Sequence, residues 1–418
     1  MKIASVRSHL LSYPFPEPIR LPFYGGERTI LKRDAMLIRV ETDNGLVGHA
    51  PGPGSERAQQ AIAQAVAPFL EGRGLADPDA LRVKFMDGPG ADPELAKIYG
   101  TVEIALYDLT GRALGVPVSE LLGGRVRDHI RLYGSAGMYM PPEAYAAEAA
   151  AVAKLGFRAY KMRPALGPDR DLEAVRLMRQ AVGPDFDLMV DAHTWWRMGD
   201  RRYSQETVEH LAMEMAQHRI CWLEEPLPPD DHEGYLRLKE KDLCPLASGE
   251  HEPNEARYLD LILSQAVDYV QMDVCCQGGY SLGRRLFGEV ERQGLRFAFH
   301  SWGTALEVIA AAHLGICWQP EVVEWLEYPC YSTPDRAGMY PFPLAAEILK
   351  EPVELDHGDL IVPAAPGLGV TVDESVVERY PWIPGPWSYF RTDSPAETRA
   401  VMGDHSIQWD ANTGTSRA

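Results

Sequence analysis

Seven polar residues recur through the middle of this chain, each closing a short apolar run. Lys161 follows FRAY, Asp191 follows DLMV, Glu224 follows ICWL and Glu250 ends PLASGE. Asp273 follows YVQM, His300 follows RFAF and Glu327 follows VVEWL. The steps between them are 30, 33, 26, 23, 27 and 27 residues. One strand, one helix and two loops fit in such a step. Each unit of a β/α series therefore presents one chemically capable side chain at its strand's C-terminal end. In a closed parallel barrel all those ends open onto one face, where the catalytic groups of that fold collect.

The flanking segments read differently. Apolar alternation predicts strands over 2–13, 35–42 and 46–50, the last two joined by the hairpin signal Asp43-Asn44-Gly45. Helical spacing predicts helices over 56–72, 77–87 and 94–114. Strands followed by helices make a separate α+β domain ending near residue 124. Gly/Pro-rich loops are expected at 16–28 and 51–55. Eight strands are expected at 129–134, 158–163, 187–192, 220–224, 245–249, 269–273, 296–300 and 322–327, with helices between them. The β/α alternation stops after residue 345. The segment PWIPGPWSYF (residues 381–390) reads as a strap laid on the first domain or on a neighbouring subunit.

Bulk properties exclude several classes. A net charge of −19 over 418 residues repels nucleic acid and anionic membranes. No stretch reaches the roughly 18 apolar residues of a membrane span. Cys221, Cys244, Cys275, Cys276, Cys317 and Cys330 show neither zinc-site spacing nor the density of a secreted disulfide scaffold. The N-terminus lacks a leader pattern. A cytoplasmic protein with reduced thiols is expected.

Asp191, Glu224 and Glu250 end three consecutive strands. Carboxylates so placed repel one another unless a cation sits between them, and an all-oxygen set suits Mg²⁺. Asp273 and His300 end neighbouring strands about 4.8 Å apart, so the carboxylate can orient the imidazole as a base. Lys161 and Arg163 are two apart on one strand and face the same way. Two adjacent cations inside a barrel require an anion, either a substrate carboxylate or neighbouring acids. His193, two residues past Asp191, is a candidate proton donor. Glu327, beside His300, is a candidate partner for a substrate carboxylate or enolate, a role that requires it to be protonated.

Together these positions resemble the enolase superfamily, and within it the mandelate racemase group. The resemblance extends to ALYDLTGRALGVPVSELLGGRVRD (105–128), LEEP (223–226), SGE (248–250) and PGLGVTVDE (366–374). It implies a (β/α)7β TIM-like barrel over 125–345 and an α+β capping domain built from residues 1–124 and completed by 346–418. It implies that Asp191, Glu224 and Glu250 bind Mg²⁺, that Asp273–His300 is the catalytic dyad, and that Lys161 and Glu327 contact the substrate. The 16–28 and 51–55 loops would close over it. Homo-oligomers, dimers or octamers, are common in the family.

Two departures direct the functional reading. Racemases of the group carry Lys-x-Lys on the second barrel strand, and here the second position is Arg163, which stays protonated at any working pH. The Asp-x-His of 191–193 is similar to galactonate- and mannonate-type dehydratases, where that histidine serves as the acid. The expected activity is dehydration of a small carboxylate substrate, an aldonate or aldarate, to a 2-keto-3-deoxy acid. His300 removes the α-proton, and Mg²⁺, Lys161 and Glu327 hold the enediolate. The 3-hydroxyl takes its proton from His193 or from His300. A racemase, epimerase or cycloisomerase is the alternative. Tyr24, Arg28, Arg163 and Trp302 are expected to contact substrate.

Overall fold

The computed structural model describes residues 1–75, 77–330, 339, 341–393, 398–401, 408–409 and 416–417. Three antiparallel strands open the chain: β1 (Ile3–Phe23), β2 (Gly26–Thr42) and β3 (Val47–Gly52). The Pro and Gly content of 16–28 predicts a loop there. Instead, β1 and β2 continue as a hairpin whose tip is Tyr24–Gly25. Pro14, Pro16 and Pro18 interrupt the alternation, but a register shift between Pro14 and Ile19 accommodates them and pairing resumes at Ile19–Ile30. Helix Pro93–Leu114 packs on β2 and β3, and helix Pro78–Met86 packs on that helix.

Eight parallel strands follow: β4 (His129–Met138), β5 (Ala159–Arg163), β6 (Asp187–Asp191), β7 (Trp222–Glu224), β8 (Leu246–Ser248), β9 (Tyr269–Met272), β10 (Arg296–Phe299) and β11 (Val323–Pro329). Each pairs with the next, and β11 pairs back onto β4 to close the barrel. Helices fill the seven intervals between them. The inside is stoppered by one apolar layer: Tyr133, Ala159, Met189, Trp222, Ala247, Tyr269, Ala298 and Trp325. Inward side chains recur every second residue. The next inward position on five of those strands is therefore Lys161, Asp191, Glu224, His300 or Glu327, all buried. The apolar stopper explains why the polar layer sits only at the C-terminal mouth.

Two short strands, β12 (Leu355–Asp356) and β13 (Asp359–Ile361), extend the sheet antiparallel to β4. The chain then returns to the first sheet. β14 (Ser388–Thr392) pairs with β2, and β15 (Thr398–Val401) pairs with β14. The strap therefore lies on the chain's own cap. No helix among the described residues is long and apolar enough to cross a membrane. All six cysteines are free.

Cap and barrel meet where helix Pro93–Leu114 crosses the glycines Gly278 and Gly279. A Cβ on Gly100 would overlap the Gly278 backbone. Nearby, buried Glu103 accepts from the Ser281 amide (2.6 Å) and from Arg82 (3.0 Å). Gly100→Ala is expected to destabilise the protein by about 1–3 kcal/mol through overpacking, read as a lower midpoint of urea unfolding. An unchanged midpoint would show that this joint yields freely.

Candidate active site

Lys161 is fully buried and surrounded by acid: Glu224 at 2.6 Å, Glu327 at 3.2 Å and Asp191 at 3.7 Å. Burial alone would lower its pKa, but the three carboxylates raise it, so it is an ammonium. Arg163 lies beside it, 3.0 Å from Asp191 and 3.1 Å from Glu327, with Ser135 Oγ accepting at 3.0 Å. The Trp302 ring stacks on this guanidinium at 3.7 Å. Glu327 also accepts from the Ser301 amide at 3.0 Å. Burial favours its neutral form, but Lys161, His300 and Arg163 outweigh burial and hold its pKa at about 2. The expectation of a protonated Glu327 is thus corrected. The carboxyl is ionised because two fixed cations face it.

His300 Nδ1 lies 3.3 Å from Asp273 Oδ2, and Nε2 lies 3.2 Å from Glu250. Asp273 divides its oxygens between two tasks. Its Oδ1 caps the short helix that follows by accepting from the Cys275 amide at 2.9 Å, and its Oδ2 is left for the histidine. Burial would lower the imidazole's pKa, but Glu250, Glu327 and Asp273 raise it to about 10, so while Glu250 carries free charge the ring is an imidazolium. A divalent cation taking up that carboxylate's charge would return it toward the neutral form a base requires. On the other side of the mouth, His193 Nδ1 sits 2.7 Å from Asp191 Oδ1. There burial prevails, and the ring's pKa falls to about 3.

Asp191, Glu224 and Glu250 do not converge on one point. Asp191 and Glu224 turn to Lys161 and Arg163, the nearest fixed cations. Among the described residues, the group whose ligand atoms all lie within 4.8 Å of one another is Glu225, Glu250 and His251. Sequence periodicity missed Glu225 because it stands one residue past the strand, at a left-handed φ of 42°. Such non-glycine strain concentrates at functional sites. Its carbonyl accepts from Trp196 Nε1 (3.0 Å) and its carboxylate lies 2.9 Å from His251 Nδ1. The second Glu of LEEP and the His after SGE were the available signals. The donor chemistry fits a hard divalent cation. Glu225 Oε2 and Glu250 Oε2 are buried without a well-aligned hydrogen bond, although His251 Nδ1 lies 2.9 Å from the first and His300 Nε2 3.2 Å from the second. Burial pushes Glu225 up to about 8 despite Arg197, and Glu224 up to about 8 despite Lys161. A cation among them would relieve that cost.

One cavity is lined by Asp191, Arg163, His193, Arg197, Glu250, His251, His300 and Trp302 on the barrel side. Met138 lies at its β4 edge, and Arg28, Trp387 and Val401 close it from the cap side. Arg28 and Trp302, two of the residues expected to contact substrate, thus line this cavity. Tyr24 does not. It is 39% exposed and lies on the rim, where Arg201 donates to its hydroxyl at 3.2 Å.

Residues 144–376 match the enolase C-terminal domain-like family, and residues 12–123 match the mandelate racemase/muconate lactonizing enzyme N-terminal domain. The chain belongs to the mandelate racemase group of the enolase superfamily. It is 28% identical over 396 residues to D-galactarolactone cycloisomerase of Agrobacterium fabrum, covering 91% of this chain and 99% of that one. It is 28% identical over 370 residues to D-xylonate dehydratase of Haloferax volcanii, covering 82% and 85%. An enolase from alpha pretobacterium bal199, solved with bound Mg, superposes with a TM-score of 0.75 at 26% identity over 91% of this chain and 99% of that one.

Proposed function

We propose that this protein is a Mg²⁺-dependent dehydratase that converts a sugar acid, an aldonate or aldarate, to a 2-keto-3-deoxy acid. The observation that carries this reading is that His193 and His300 line one cavity while Arg163 occupies the place of a second amine base. Racemisation needs a base on each face of a carbanion; a guanidinium cannot serve, and His193, whose Nδ1 is engaged by Asp191 at 2.7 Å, is assigned to the leaving group instead. Elimination needs one base and a source of one proton.

Residues from Asp191, Glu224, Glu225 and Glu250 would hold the cation. When bound, Mg²⁺ supplies Lewis-acid charge toward a substrate carboxylate. His300, oriented by Asp273, removes the proton next to that carboxylate. The ammonium of Lys161 and the guanidinium of Arg163 stabilise the negative charge that develops. The 3-hydroxyl departs with the proton that His300 has just gained, or with one from His193 if bound substrate protonates its buried, neutral ring, and the enol tautomerises. His193→Asn distinguishes the two donors: a loss of elimination with α-proton exchange retained assigns the proton to His193.

The test is incubation with Mg²⁺ and a library of aldonic and aldaric acids, scored for 2-keto acids. If none forms, the reading is wrong. A second reading, cycloisomerisation of a sugar lactone, is favoured by the near full-length match to the Agrobacterium enzyme. Expelling a ring oxygen starts from the same proton abstraction and also needs no second base. Mass spectrometry separates the two, because dehydration loses a water and ring opening does not.

Metal binding has a readout independent of turnover. Mg²⁺ is expected to stabilise the fold by about 2.7 kcal/mol at a hundredfold excess over its Kd, seen as a rise in Tm. Glu250→Gln is expected to abolish most of that rise, because Glu250 belongs both to the carboxylate set expected from the sequence and to the cluster seen in the structure. A full rise in Glu250→Gln would place the cation elsewhere.

A further inference from the structure

Most cations of this cavity are already matched. Lys161 and Arg163 face Asp191, Glu224 and Glu327. Arg28 is the exception. It is only 5% exposed and lines the cavity from the cap side. Its Nε donates to Ser388 Oγ at 3.1 Å, and its Nη1 meets Met138 Sδ at 3.6 Å. Neither partner carries charge, and among the described residues no carboxylate pairs with it. The guanidinium carbon lies over two rings, 5.0 Å from the centroid of Trp387 and 4.7 Å from that of Phe390. Both rings belong to the strap, which lies beyond residue 376, where the family match ends.

A buried guanidinium without a counter-anion is costly. One packed against two rings is also pre-organised, so little side-chain entropy is lost when it binds. Its planar fork suits a carboxylate taken by two parallel hydrogen bonds. The site's other end already has Lys161, Arg163 and the candidate metal ligands for the carboxylate at the reacting carbon.

We propose that Arg28, clamped by the C-terminal strap, receives a second carboxylate at the far end of the substrate, so that the substrate class is the aldarates rather than the aldonates. This rests on the dehydratase reading and narrows it. Trp387 and Phe390 are positioning residues that act by holding Arg28.

The test compares aldarates with aldonates of the same configuration, such as galactarate against galactonate and glucarate against gluconate, with Mg²⁺ present. The wild type is expected to favour the aldarate at least 100-fold in kcat/KM. Arg28→Met should reduce that ratio about 100-fold, mainly through KM for the aldarate. Ser388→Asp gives Arg28 an internal carboxylate and should shift preference in the same direction. It decides the matter if Arg28→Met fails to fold. Equal use of both classes by the wild type, or unchanged ratios in the variants, overturns the proposal. If no compound yields a keto acid, the dehydratase reading fails, but Arg28 is still tested by Tm shifts. The aldarate should stabilise the wild type more than its aldonate, and Arg28→Met should erase the difference. Equal shifts would sink the proposal independently of turnover.

Discussion

Lys161→Met is expected to destabilise the protein by about 3–5 kcal/mol, the cost of leaving buried charge without its partner. The ammonium lies within 4 Å of three carboxylates, and neither it nor Glu224 has measurable solvent exposure. Arg163 would still reach Asp191 and Glu327, but Glu224 Oε1 would lose its cation. The sign of the pH dependence follows from the shifts. Lys161 has a raised folded pKa, so its stabilisation is present below its ordinary value near 10.5 and fades as pH rises through the folded value. Glu327 has a depressed one, about 2. Its stabilisation is present above its ordinary value near 4.5 and fades as pH falls through about 2. Lys161 and Glu327 are charged from about pH 5 to 10 but Glu224 ionises only above about 8, so the deficit of the variant should be greatest between about pH 8 and 10 and shrink in acid, where the carboxylates protonate. Urea unfolding across this range is the measurement. Glu224→Gln in the same chain should restore part of the loss, by the logic of a double-mutant cycle. A deficit below about 1 kcal/mol between about pH 8 and 10 would show that water or rearrangement shields these charges.

The sequence revealed this charged layer because a barrel strand buried on both faces is apolar until it reaches the mouth. A single polar residue closing an apolar run is then conspicuous, and Lys161, Asp191, Glu224, His300 and Glu327 all lie in that layer. What escaped the sequence reading had other causes. Glu225 turns into the site by a left-handed backbone step, which no period of two can register. The hairpin through 16–28 is held by pairing across its own tip and by β14 against β2, which together override its prolines. The strap's register, Ser388 against Ile30, joins segments far apart in the chain. The PWIPGPWSYF segment suggested a strap, but only the fold shows that two of its rings lie against Arg28 at the cavity wall. Nor did spacing show where carboxylate ends swing. Asp191 and Glu224 follow the nearest fixed cations, a choice made by side-chain torsions that leave no pattern in the sequence.

His300→Asn should lower kcat by about 10²–10⁴-fold, the range expected for a general base, on whichever sugar acid the screen identifies. Asparagine keeps a polar group beside Asp273 but cannot take a proton at working pH. The helix cap from Asp273 Oδ1 to the Cys275 amide does not involve His300, so the strand end should keep its shape. The loss should therefore appear in kcat, while KM and the Mg²⁺-induced rise in Tm change little. Two measurements make the assignment specific. Exchange of the substrate α-proton with deuterated solvent should vanish in His300→Asn, because His300 is the group assigned to remove it. In Asp273→Asn, where the ring persists but loses the carboxylate that orients it, exchange should be slowed rather than abolished. If exchange persists at the wild-type rate in His300→Asn, the base lies elsewhere. His193, on the opposite side of the cavity, then becomes the group to test, with elimination proceeding from the other face of the substrate.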